Sequence, residues 1–156
     1  MIILRLARGI HKHFPARRSE WALGAMLFSL GAILLHPDNL FDSTPLYHGL
    51  KLIASEKVWG WGCFLVGFVR LIALILNGTF ADTAYSRWSP HVRGAMAFLS
   101  CFFWAGITIG IFYAADHPVF GMGIFPFLLA LELTNIHQAL TDAGAADRDF
   151  FDAPGT

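Results

Sequence analysis

Charge is what this chain has least of. Only 14% of its 156 residues are Asp, Glu, Lys or Arg, where soluble domains carry about 25%. A surface wetted on every side needs more charge than that, so a water-soluble globular domain is a poor fit. No excess of either sign exists: 11 basic residues face 11 acidic ones. A nucleic-acid partner calls for a basic patch or stripe, and the sequence offers only a basic cluster near its N-terminus. Cysteine is nearly absent. Cys63 and Cys101 both sit inside apolar segments, where thiols pack as small hydrophobes and do not build a disulfide framework. Missing too are a phosphate-cradling glycine loop, a nucleophile elbow and a zinc-protease motif. Residues 1–14 have no continuous apolar core and no small-residue cleavage site, so they do not read as a secretory signal.

What is present is apolar and aromatic. Hydrophobic residues make up 56% of the chain, with 15 Phe and 5 Trp, a composition suited to lipid contact and interfacial belts. Four apolar stretches stand out, at residues 21–35, 58–76, 92–115 and 119–140. A spanning helix needs about 20 residues, within a range of about 17–25. The last three qualify. The first is short and spans only with Trp21 as an anchor and local bilayer thinning; a re-entrant hairpin is the alternative. The expected fold is therefore all-α: a four-helix transmembrane bundle, with residues 1–18 as an N-terminal amphipathic interfacial helix, 19–140 as the four-span domain and 141–156 as an acidic cytoplasmic tail.

The basic residues give this bundle a direction. With four spans, Arg5, Arg8, Lys12, Arg17, Arg18, Arg87, Arg93 and Arg148 share one side, and only Lys51 and Lys57 fall on the other. The positive-inside rule puts both termini in the cytoplasm. Ile3, Leu6, Ile10 and Phe14 form one stripe of the N-terminal segment, and Arg5, Arg8 and Lys12 another. Such a helix lies in the interface with its basic face, extended by Arg17 and Arg18, on anionic headgroups. Pro15 ends it and Ser19 is placed to cap the first span. On the far side, residues 45–53 read as a short amphipathic helix on the interface, apolar at Leu46, Leu50 and Ile53.

Two charges lie deep in apolar runs: Arg70 in the second span and Glu132 in the fourth. Counted from the outer edge, both are roughly 18–20 Å down. Charges at such depth face a partner, a cavity or a pathway. An Arg70–Glu132 ion pair would clamp the second span to the fourth; lining of a polar conduit is the functional alternative, and snorkelling of Arg70 a third. Glu132, Asn135 and Gln138 recur every third residue, with Thr134 at their flank, and read as a polar interior face. Pro126 upstream is expected to kink this helix. Gly106 and Gly110, with Cys63 and Gly67, make small-residue pairs that let helix backbones approach, either within one subunit or between copies of a homo-oligomer. Of seven histidines only His137 falls within a span, and its spacing from Glu132 is not that of a carboxylate-bridged metal helix. No metal, haem or other cofactor is expected, and no catalytic residue.

One resemblance adds to this. Trp59-Gly60, Gly67, Arg70-Leu71, Ala73-Leu74, Asn77-Gly78, Tyr85, Arg87 and Arg93, together with Arg17-Arg18-Ser19-Glu20-Trp21 and Pro45-Leu46-Tyr47, resemble small membrane proteins encoded by proteobacterial phages and prophages. The likeness covers about half the chain, and its motifs are structural. It implies a role in or on the host membrane, holin-like or envelope-modifying, and carries over no active residue. The sequence thus points to a non-enzymatic inner-membrane protein that self-associates; the alternative is a small channel or transporter with its pathway around Arg70 and Glu132.

Overall fold

The computed structural model of the chain describes Phe14 and residues 17–43, 47–79 and 85–151. The expected interfacial helix, with Arg5, Arg8 and Lys12, lies outside these, as does Leu46. Among the described residues every element is a helix: α1 Arg18–Leu34, α2 Leu40–Ser43, α3 His48–Lys51, α4 Glu56–Thr79, α5 Tyr85–Ala114 and α6 Phe120–Phe151. Three are long and apolar enough to cross a membrane, over Glu56–Leu76, Trp88–Ala114 and Phe120–Arg148. α1 has 17 residues and is only about 26 Å long, short of the roughly 30 Å hydrocarbon core.

α1 packs chiefly on α4, α6 chiefly on α5, and α4 meets α5; α1 meets α6 more lightly. The α1–α4 contact is made by glycine. A Cβ on Gly31 would stand 2.6 Å from Phe64 Cα, and one on Gly67 would stand 2.8 Å from Phe28 Cα. Only hydrogen fits there, so the two backbones nearly touch. Leu23, Leu27 and Leu34 of α1 then meet Trp59 and Cys63 of α4 and Trp104, Ile107 and Ile111 of α5 in one apolar core. Outside, large hydrophobics such as Phe98, Phe112 and Phe127 are exposed, a surface that favours lipid or a partner over water.

One end of the molecule is capped. The Glu56 carboxylate accepts the backbone N–H groups of Leu40 at 2.9 Å and Phe41 at 3.0 Å, tying the first turn of α2 to the first turn of α4. Asn39 precedes them at φ 43°, a left-handed conformation that Asn tolerates. Gly49 of α3 sits on Gly110 of α5, which carries Leu50 inward to 3% exposure. Trp59 Nε1 donates to Leu50 O at 3.1 Å. This corrects the expected interfacial helix: α3 is one turn, Leu50 plugs the core, and Leu52 and Ile53 are exposed. The cause is tertiary, because the paired glycines allow an approach that an amphipathic stripe alone does not reveal.

Two further boundaries differ. α6 does not stop near Leu140 but continues to Phe151, so the expected tail begins as helix; Ala139 and Ala143 are buried and carry the packed stripe past the apolar run. Ser19 does not cap α1, whose N-cap position is Arg17; its hydroxyl goes to α6 instead. At the capped end Lys51 pairs with Asp42 across exposed surface. The Lys51 hydrogen bond, then its charge, holds the Asp42 carboxyl below its ordinary value. A depressed carboxylate stabilises above its unfolded pKa, about 3.9, and that contribution is lost as pH falls through the folded value. Hydrogen exchange in 47–53 is therefore expected to stay constant from neutral pH to about pH 5, after correction for intrinsic rates, and to quicken only below the usual carboxylate range. Asp42→Asn should remove that pH dependence.

Candidate functional site

The buried stripe of α5 changes character halfway. Ser89, Arg93, Ala97 and Ser100 are followed, at helical spacing, by Trp104, Ile107 and Ile111, all buried. The polar half lies towards the uncapped end. Around it the other helices supply their own buried polar side chains: Glu20 from α1, Arg70 from α4, Glu132 and Asn135 from α6.

Arg70 shares a stripe with Trp59, Cys63 and Leu74, which are all buried, so its side chain turns inward and does not snorkel. It pairs with Glu132, each side chain 0% exposed, and Arg70 Nη1 also donates to Ser100 Oγ at 3.3 Å. Asn135 Nδ2 donates to the other Glu132 oxygen at 3.1 Å, and Ser19 Oγ donates to Asn135 Oδ1 at 2.7 Å. One residue on, Glu20 takes a two-pronged bond from Arg93: Nε to Oε2 at 2.9 Å and Nη2 to Oε1 at 2.5 Å. Arg93 Nη1 donates to Asp142 Oδ2 at 2.9 Å, which also accepts from Arg17 Nη2 at 3.2 Å. Three guanidinium groups thus meet three carboxylates, and the cluster is neutral. Burial, and then the neighbouring Arg93 charge, pull Arg17 below its ordinary value, yet a guanidinium stays protonated at any working pH.

The cluster runs from the uncapped end to mid-depth and stops. Beyond Ser100 and Glu132 stand Trp104, Leu27 and Cys63, then the plug of Leu50 and Phe41. At its shallow end it opens into a cleft of about 720 Å³ between the start of α1 and the second half of α6. Arg70 Nε and Nη2, Ser89 Oγ and Trp104 Nε1 are buried without a hydrogen-bond partner among the described residues, so the desolvation of Arg70 is only partly offset.

The interior face expected on α6 is narrower than the three-residue recurrence suggests. Each step of three falls about 60° short of a full turn, so Glu132 and Asn135 stay inside while Gln138 has rotated out. Ala139 takes the next buried position; Gln138 and Thr134 are exposed and line the cleft. Pro126 lies inside α6 without ending it. The small residues are occupied within the chain: Gly106 by Trp59, Gly110 by Leu50 and Gly49, Gly67 by Phe28, with Cys63 fully buried. Arg17, expected on the membrane surface, lies in the ion cluster, while Arg18 is exposed. Sequence reading missed Glu20, Arg93 and Asp142 as partners. Their shared signal is position, since each borders an apolar run at the uncapped end of the molecule. Cys63 and Cys101 are free thiols, and among the described residues no group of three His, Cys, Asp or Glu side chains gathers to hold a metal.

Comparison of the chain with protein-family models, with curated proteins and with solved structures gives no match in any of the three. The fold itself defines the class. This is an all-helical protein with three helices long and apolar enough to span a membrane, as expected of an integral membrane protein.

Proposed function

We propose that the chain is a non-enzymatic, four-span protein of a bacterial inner membrane, phage-encoded, that acts as an envelope-modifying scaffold and not as a pore. α1 is the fourth span; Glu20–Arg93 ties it to α5 at the uncapped end, and Arg70–Glu132 ties α4 to α6 at mid-depth. One observation carries the reading: the buried charges cancel in a closed cluster that ends at mid-depth under an apolar plug. A conduit needs polar lining on both sides of the midplane. Orientation with both termini in the cytoplasm is supported by Arg18 and Arg148 at the uncapped end and Lys51 and Lys57 at the capped one. Self-association is supported by the broad apolar exterior, not by Gly106 and Gly110, which are already covered.

The channel reading retains one supporting observation, a polar half-path from the cleft to Glu132. Membrane potential after induced expression in bacteria separates the two, with a voltage-sensitive dye and an inert four-span control. The scaffold reading expects unchanged potential at full expression, and cross-linked multimers. Rapid depolarisation, removed by Glu132→Gln at equal abundance, would overturn it in favour of a pathway.

A further inference from the structure

Two grooves open along one seam. The groove nearer the capped end has α1 as one wall and α6 as the other, the cleft at the uncapped end has Arg17, just before α1, and α6, and both have α5 beneath. At the uncapped end the cleft is walled by Arg17 and by His137, Gln138 and Asp142, with Arg93 beneath. Towards the capped end a groove of about 360 Å³ is lined by Ala25, Ser29 and Ile33 of α1 and Phe125 of α6, with Trp104 beneath. The two floor residues are 11 positions apart on α5, about 17 Å, close to half the roughly 30 Å thickness of a hydrocarbon core. The lower cleft also lies at a definite level. Asp142 is 22 residues beyond Phe120, about 33 Å along α6. If Phe120 marks one membrane face, Asp142 marks the other.

The charges in this cleft are of both signs. Arg17 is 19% exposed and Asp142 43%, and they stand 3.2 Å apart. Behind them Arg93 and Glu20 are buried and satisfy each other. Arg17 donates through Nη2, and Asp142 accepts at Oδ2 from both guanidinium groups, which leaves Arg17 Nε and Nη1 and Asp142 Oδ1 for a ligand. A purely anionic ligand would meet Asp142 and a purely cationic one Arg17. A zwitterion with a phosphate and a hydrogen-bonding ammonium fits both.

We propose that this seam seats one phospholipid with a phosphoethanolamine headgroup. Its phosphate accepts from Arg17, its ammonium donates to Asp142 Oδ1, and one acyl chain runs along α1 into the groove at Ala25 and Ser29. The inference rests on the membrane-spanning reading above. A second copy of the chain is the poorer occupant, because it would have to bury Arg17 and Asp142 against an exterior that is apolar.

Native mass spectrometry of the full chain in detergent tests this. The probes are phosphatidylethanolamine, phosphatidylcholine and phosphatidylglycerol with matched acyl chains, and glycerophosphoethanolamine, which has none. One phosphatidylethanolamine per chain should be retained, roughly tenfold over phosphatidylcholine, whose ammonium cannot donate. Asp142→Asn should erase that preference. Because Asp142 also holds Arg93, a second variant is needed: Ala25→Trp fills the groove away from the cluster and should weaken retention of all three lipids with melting unchanged. Equal retention of the three lipids, a preference for phosphatidylglycerol, or equal binding of the chainless headgroup would overturn the proposal. So would a dimer that excludes lipid and dissociates in Ala25→Trp. Lipid-blind binding by a protein that still needs detergent defeats this inference alone; a chain that stays dispersed without detergent defeats the membrane reading as well.

Discussion

Glu132→Gln is expected to destabilise the fold by about 3–5 kcal/mol, the usual result of leaving one partner of a buried ion pair uncompensated. The side chain sits at 0% exposure between Arg70 and Asn135. Gln preserves its shape but removes its charge. Arg70 then remains in the interior without a counter-charge, with Ser100 and a neutral amide oxygen as its acceptors and two donor nitrogens already unfilled. It has no easy escape, since Trp59, Cys63 and Leu74 on the same stripe fix its face of α4 inward. Melting in detergent, followed by Trp fluorescence, reads the loss, because Trp59 and Trp104 are both core residues. The decisive comparison is the double variant Arg70→Met with Glu132→Met. Replacing a buried pair by apolar groups of similar volume is often neutral or stabilising by about 1–4 kcal/mol, so the double should recover most of what Glu132→Gln lost. If the single variant melts like the wild type, the pair is not a clamp. If the double is as unstable as the single, the cluster depends on these charges for more than each other.

How much of this could be read from the chain depends on what each residue's surroundings look like in one dimension. Arg70 and Glu132 stand out because a charge inside a long apolar run has no ordinary explanation, and their depths match by simple counting. Glu20, Arg93 and Asp142 do not stand out. Each falls at the edge of an apolar stretch, where a charge is expected at the interface, and their meeting depends on which helices are neighbours. Hydrophobic periodicity gives the faces of helices but not their order around a bundle. The same limit hid the plug: Gly49 resting on Gly110 is a contact between residues 61 apart, and nothing near residue 49 announces it. Gln138 was misread for a smaller reason, a three-residue rhythm taken for a straight stripe.

The largest effect of a single added methyl should come at Gly31. In an open helix position Gly→Ala stabilises by about 1 kcal/mol, through propensity alone. Gly144 on α6 is such a position, with nothing within 4 Å of an added Cβ, and Gly144→Ala should gain roughly that amount. At Gly31 the added carbon would meet Phe64 Cα at 2.6 Å and Gly60 O at 2.8 Å. Both are main-chain atoms, so no rotamer change relieves the clash and α1 must move away from α4. Overpacking of this kind destabilises by about 1–3 kcal/mol, and Gly31→Val should exceed that range and fail to accumulate. Gly67→Ala, which meets Phe28 Cα and Gly24 O in the same way, should act alike. Combined with Gly31→Ala it should be less than additive, because a helix already displaced leaves room for the second methyl. Opposite signs at Gly31 and Gly144, measured as melting shifts in one detergent, would establish that α1 is seated on α4 by backbone contact. A Gly31→Ala variant as stable as the wild type would mean that α1 is not seated on α4 in this way, and would count against α1 as the proposed fourth span.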